Sequence, residues 1–329
     1  MTATTARGDQ PTRVVRVGKH PTTVVTLTVV LLLAAVFAVG GKDNGLVTQS
    51  IVTGLLLGGV YALVSIGLTL IFGVLGVVNF AQGSMLTMSM YVVYALVSGP
   101  GIPVYVATLL AIPVMFLFGM FVQHFLLNRL TSTGSHEGPL LVTLGLQLLI
   151  ANVLLMIFTG RPKSVGTPIE GSFEMLGAIA SYSRVIAFVG AVLVGVALTL
   201  VLRRTSLGLS IRAVAANAQG AALVGVNVRR VYALTFGIGA ASVAVAGGLM
   251  TPFTSLTPSV GEQFTILAFV IVVLGGLGSV LGATIGGLVI GLVQTVGALY
   301  LPGTGSLILV FAVFVMVLFL RPQGLYGAK

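Results

Sequence analysis

Apolar residues in this chain gather into runs longer than a soluble core helix or strand needs. In order they cover 24–39, 51–72, 85–97, 104–127, 139–158, 185–202, 231–250, 264–274, 281–299 and 306–320. Judged against the roughly 20 apolar residues that a helix needs to span a bilayer, they predict about ten crossings, some short or broken. The expected fold is an all-α polytopic membrane protein. One transmembrane domain over 24–320 sits between a polar tail over 1–23 and a short tail over 321–329.

The interruptions are as informative as the runs. Between the second and third runs stand Gly73, Gly76, Asn79, Gln82, Gly83 and Ser84, and between the eighth and ninth stand Gly275, Gly276, Gly278 and Ser279. A long regular helix disfavours that composition. Unwound backbone at membrane depth is tolerated only where protein or water satisfies it, so two such breaks point to a transport pathway. Residues 41–50, 99–103 and 159–184 read as outside connections, 128–138 as an inside loop, and 251–263 as a structured outside loop or short helix.

Composition fixes the class. Of 329 residues 57% are hydrophobic and 7% charged, more apolar surface than a soluble domain can bury. Among 44 glycines, the pairs Gly54/Gly58, Gly282/Gly286 and Gly287/Gly291 have the spacing that lets helix backbones touch in lipid. Cysteine is absent, which removes disulfides and thiol chemistry.

The net charge of +10 sets orientation. With both termini inside, Arg7, Arg13, Arg16, Lys19, Arg129, Arg203, Arg204, Arg212, Arg229, Arg230, Arg321 and Lys329 lie on the inner face, leaving Lys42, Arg161, Lys163 and Arg184 outside. No soluble basic domain remains to bind nucleic acid. The run over 24–39 has flanks that also suit a cleavable signal peptide; a retained anchor is the reading, because the run is uniformly apolar and more spans follow.

Five of those arginines share the loop 203–230, which holds no acid. Ser210 is placed to cap a short helix, Ile211, Val214, Ala215, Ala218 and Ala222 recur on one helical face, and Gly225 supplies a stop. The small-residue face suits close contact with a partner protein, whereas an interfacial helix carries bulkier apolar groups. An ordinary inside loop whose arginines only set topology fits the spacing as well.

Much chemistry is missing. The two Gly-Lys pairs, Gly18-Lys19 and Gly41-Lys42, are not followed by Ser or Thr, so no Walker A loop exists. Gly276-Leu-Gly278 begins a dinucleotide fingerprint, but Leu281 replaces its third glycine. His20, His124 and His136 are too scattered for a metal site or triad, so no catalytic, cofactor or metal residues are assigned. Asp9, Asp43, Glu137, Glu170, Glu174 and Glu262 all fall in loops or tail, which argues against ion coupling through a membrane-embedded carboxylate. The energy source is therefore expected in another subunit, acting through the arginine loop.

The run Gly67-Leu-Thr-Leu-Ile-Phe-Gly73-Val-Leu-Gly-Val-Val-Asn79-Phe-Ala-Gln82-Gly83 resembles the signature of the branched-chain amino acid ABC transporter permeases, in particular their H-type subunit. The resemblance continues through Arg212–Asn217, Leu223–Phe236 and Val273–Ser279 and ends at Arg321–Leu325. Gln82 stands where many relatives have His, residues 216–220 lack the acidic residue common in the family, and the first span and its tail are extra.

The resemblance implies the membrane half of an ATP-driven importer, partnered by a second, M-type permease, ABC ATPase subunits and an extracellular or periplasmic solute-binding protein. It implies a coupling helix around Ser210, Arg212, Ala215, Asn217, Leu223, Gly225 and Asn227. Asn79, Gln82, Gly83, Ser84, Gly275, Gly276, Gly278 and Ser279 are the expected pathway residues, with Thr69, Gln147 and Gln294 beside them; helix-fastening hydrogen bonds are the other reading of each. Branched-chain or other hydrophobic amino acids are the expected cargo, with urea or short amides as alternatives. A passive facilitator or a sodium-coupled carrier using backbone oxygens remains the rival class.

Overall fold

The computed structural model describes residues 44–128, 137–166, 169, 171–175, 177–301 and 303–326. The expected tail over 1–23 and the expected first span over 24–39 lie outside these residues.

The described chain begins with α1 (Asn44–Leu75), α2 (Gln82–Ser98), α3 (Val104–Phe121), which continues through a wider π-helical turn at Val122–Leu127, and α4 (Glu137–Phe158). A hairpin of β1 (Ser172–Met175) and β2 (Ala178–Ser181) leads into α5 (Tyr182–Arg204). Two short helices follow, α6 (Ser206–Ala216) and α7 (Ala218–Leu223), and then α8 (Val228–Met250), α9 (Val260–Gly275), α10 (Val280–Tyr300) and α11 (Gly305–Leu320).

Six of these helices are long and apolar enough to cross a membrane alone: α1, α3 with its π turn, α4, α5, α8 and α10. The chain is a multi-pass membrane protein. The expected spans at 85–97, 264–274 and 306–320 correspond to α2, α9 and α11, of 17, 16 and 16 residues. At about 1.5 Å per residue each falls short of the roughly 30 Å hydrocarbon core.

Two sequence expectations are corrected. Residues 44–50, read as an outside loop, are helical: Ser50 Oγ donates to the Leu46 carbonyl (3.0 Å), and Gln49 turns its amide outward to clasp the hairpin. Gln49 Nε2 donates to the Ile179 carbonyl (2.8 Å) while Ile179 N–H donates to Gln49 Oε1 (2.7 Å). The hairpin itself departs from a purely α-helical fold, and it orders part of the long connection 159–184. Nearby, Lys163 and Leu256 exchange backbone hydrogen bonds of 2.9 and 2.8 Å, pinning two connections on that side together.

Burial is uneven. The apolar windows of α1 and α8 are each 83% buried, but those of α4 and α5 only 22% and 11%. α1 is the axis, flanked by α10, α8, α5 and α9. Its tightest neighbour is α10. A Cβ on Gly58 would lie 2.9 Å from Leu288 Cα, one on Gly287 2.5 Å from Ala62 Cα, and one on Gly291 2.5 Å from Gly58 Cα. Lipid gives apolar side chains no reason to cluster, so backbone-to-backbone contact supplies the attraction.

Gly287→Val is expected to force α1 and α10 apart and to destabilise the fold by about 1–3 kcal/mol, the usual range for overpacking. Gly145, on the outward face of α4 with open space around it, is expected to accept Ala with no loss. Thermal unfolding of both variants in detergent checks the contrast.

Candidate functional site

The first break, residues 76–81, joins α1 to α2; Gly76 is exposed, but Asn79 and Ala81 are buried, which places a polar amide inside the bundle. A helix start leaves N–H groups without partners, and here side chains supply them. Asn79 Oδ1 accepts from Ala81 N–H (3.1 Å), its Nδ2 donates to Gln82 Oε1 (3.0 Å), and Gln82 Nε2 donates to the Val64 carbonyl of α1 (3.2 Å). Asn79 and Gln82 are fully buried. The Gly83 N–H donates to Thr265 Oγ1 on α9 (3.0 Å). That bond needs glycine, because a Cβ on Gly83 would overlap the Gly261 carbonyl.

α4 is tied to this junction by hydroxyls. Ser84 Oγ donates to the Gln147 carbonyl (3.4 Å), and Thr143 Oγ1 lies 3.3 Å from the Val78 carbonyl. Gln147 thus meets the junction through its backbone. Gln294 stands apart on α10, within hydrogen-bonding reach of the Tyr61 hydroxyl, and its own Oε1 has no partner.

The second break, 276–279, lies at the end of α1: a Cβ on Gly73 would sit 3.2 Å from Gly278 Cα. Gly276 and Gly278 hold φ of 102° and 84°, a region that L side chains avoid. Gly275 packs on Gly282, and Ser279 Oγ caps α10 by accepting from Gly282 N–H (3.1 Å). On the other side of α1 from Gln82 opens a groove of about 610 Å³, walled by α1, α5, α6 and α10, which Thr69, Gly278 and Ser279 border. The structure therefore divides the candidate pathway residues into two sets. Asn79, Gln82, Gly83, Ser84 and the Gln147 backbone form one polar junction; Thr69, Gly278 and Ser279 edge the groove.

The arginine loop is built differently from its expectation. Ser210 is not a cap: its hydroxyl donates to the Ser206 carbonyl (3.1 Å) inside α6, and Thr205 Oγ1 caps that helix by accepting from Gly208 N–H (3.1 Å). The single expected helix is two, because Asn217 interrupts it and caps α7, its Oδ1 accepting from Gly220 N–H (2.8 Å). Asn227 does the same for α8, accepting from Arg230 N–H (3.0 Å). The face is split too. Ile211 and Val214 are buried with Leu70 and Val74 of α1, while Arg212, Ala215 and Ala222 are exposed. Leu223 and Val224 are 89% and 79% exposed, and Gly225 turns the chain after them at φ 88°.

A profile of the family described as branched-chain amino acid transport system / permease component matches residues 50–320. The chain belongs to that family. It is 32% identical over 293 residues to the high-affinity branched-chain amino acid transport system permease protein BraD of Pseudomonas aeruginosa, covering 85% of this chain and 95% of the relative. It is 30% identical, at the same coverage, to the corresponding protein LivH of Escherichia coli K12. It is 28% identical over 171 residues to the ribose import permease protein RbsC of Bacillus subtilis, half of this chain and 53% of the relative. No solved structure matches the chain.

Sequence reasoning missed three parts of this permease. Thr265, which bridges α9 to the first break, sits in an apolar run with nothing to single it out. Ser65, one turn before Thr69, shares with it a fully buried hydroxyl that lacks a partner. The segment after α11, read as a tail, is a clamp: Leu325 N–H donates to the Leu274 carbonyl (2.8 Å) and Tyr326 N–H to the Gly275 carbonyl (2.9 Å). Among the described residues no cluster of His, Asp and Glu is placed to hold a metal.

Gln82→Leu leaves the buried Asn79 amide without its Gln82 Oε1 acceptor. A loss of about 1–3 kcal/mol is expected, read as a lowered unfolding temperature of the purified permease.

Proposed function

We propose that this permease is one membrane half of an ATP-driven importer for branched-chain or other hydrophobic amino acids. ATP is hydrolysed in separate ABC ATPase subunits, a second, M-type permease completes the pathway, and an extracellular or periplasmic binding protein delivers the solute. The chain lies in the cell membrane with both termini cytoplasmic and about ten crossings, the short helices α2, α9 and α11 counted among them. The support for this is the family membership, the concentration of arginines in one loop, and the cargo named for the relatives BraD and LivH.

One observation carries the mechanism. Ile211 and Val214 of α6 pack on Leu70 and Val74, the last apolar turns of α1 before the first break. An ATPase seated on the outer side of α6 and α7, against Ala222, Leu223 and the Gly225 turn, would push through that contact onto the end of α1. Asn217 and Asn227 keep the lever stiff by capping the helices on which it rests. The end of α1 meets both breaks, so a rigid-body shift of the loop is passed to both.

The solute path in this reading runs between α4 and the polar junction of Asn79, Gln82, Gly83 and Ser84. α4 is the natural moving wall: it is mostly exposed, and it meets the junction through two hydroxyl hydrogen bonds that exchange readily for water or solute. The second break, Gly275 to Ser279, acts beside it as the hinge.

The absence of cysteine makes a direct test simple. A Ser84→Cys permease in right-side-out vesicles is expected to lose uptake on treatment with a small thiol reagent, and to be protected by excess solute. Unchanged uptake after complete labelling would move the path elsewhere. Separately, Leu223→Trp, at a position 89% exposed and free of the φ 88° strain that any side chain would meet at Gly225, is expected to insert normally yet abolish ATP-dependent uptake. Uptake at the wild-type rate would sink the docking role of α6 and α7.

A further inference from the structure

The groove on the far side of α1 belongs neither to the polar junction nor to the outer face of α6 and α7. It follows α1 from Gly59 to Val74 and α5 from Phe188 to Arg203, roughly 22 Å at 1.5 Å per residue. One end is shut where Phe188 lies against Gly59. At the other stand Arg203 and Arg212, and among the described residues no carboxylate lines the wall.

Apart from the partnerless Thr69 hydroxyl, the hydroxyls of the wall are already satisfied. Thr199 and Thr284 donate their hydroxyls to carbonyls of their own helices, at 2.8 and 2.9 Å, and Ser279 caps α10. A zwitterionic amino acid would bring an ammonium group that finds no anion here, and burying it unpaired is costly. An elongated apolar chain ending in an anion satisfies both ends of the groove. Its length exceeds half of the roughly 30 Å hydrocarbon core, enough for one acyl chain and its linkage in a single leaflet. Two arginines at the mouth match a phosphate headgroup, as basic pockets between membrane helices do for anionic lipids.

We infer that this groove is a binding site for an anionic phospholipid. One acyl chain lies between α1 and α5, and the phosphate is held by Arg203 and Arg212. The lipid fills the space behind α6 and so braces the inner wall of the arginine loop.

The test uses the full-length permease purified in mild detergent, exposed to phosphatidylglycerol or phosphatidylcholine, with bound lipid counted by native mass spectrometry. Phosphatidylglycerol is expected to be retained about fivefold or more over phosphatidylcholine. The preference should vanish in the Arg203→Gln/Arg212→Gln variant. Gly195→Leu, which projects into the groove near Ile66, should lower retention of both lipids without altering the charge. Equal retention of the two lipids by the wild type, or full retention of phosphatidylglycerol in both variants, overturns the inference. Displacement of the lipid by millimolar inorganic phosphate alone also overturns it, in favour of a free-anion site. So does a cross-link from Val196→Cys, on the groove wall, to another subunit in native membranes, which would give the groove to a protein.

Discussion

A membrane helix has no hydrophobic reason to leave lipid for another helix, so the bundle depends on how closely backbones approach. The contact of α1 with α10 through Gly58, Gly287 and Gly291 is the closest of these along the central axis. Everything else about α1 follows from that docking: its end is held against Gly278, its flank is offered to α8 and α9, and its other side is left to border a groove. Bulkier residues at these positions would remove the attraction and shift the end of α1, from which both breaks take their position.

The breaks are held because key backbone groups at their edges find partners inside the protein, as the bilayer interior demands. The first is satisfied by side chains from within the same stretch and by Thr265 across the bundle. The second is satisfied by a helix cap on one side and by backbone hydrogen bonds from the segment after α11 on the other. Hydrogen bonds of this kind can be exchanged one for another with little net change in energy. Close-packed glycine contacts cannot. The rigid axis and the changeable junctions are thus built from different interactions, which lets one move while the other holds.

The long spans and both breaks were legible in the sequence, because apolar length and runs of glycine with amides are local signals. The Gly54/Gly58 and Gly287/Gly291 pairs were legible as a spacing, though not which helix each would meet. What escaped was non-local. The residue that caps α6 is Thr205 and not Ser210, a difference of register that depends on where α5 stops. The arginine loop divides at Asn217, whose amide caps α7, and its buried face is set by Ile211 and Val214 meeting α1. The hairpin after α4 needs Gln49, which lies 130 positions away from Ile179. No pattern within the connection 159–184 announces such a partner, and the same holds for Thr265 and Gly83.

The clamp on Leu274 and Gly275 also sets an order of events. These carbonyls close α9, yet the N–H groups that satisfy them come from beyond α10 and α11. As the chain enters the membrane, the Gly276 N–H can close Val272 and Val273 at once, but the Leu274 and Gly275 carbonyls wait for the segment after α11. The second break reaches its final geometry only once α11 and the segment after it are in place. Translation arrested within α11 would therefore yield a bundle with its axis formed and its hinge unset, a species that membrane proteases are positioned to remove.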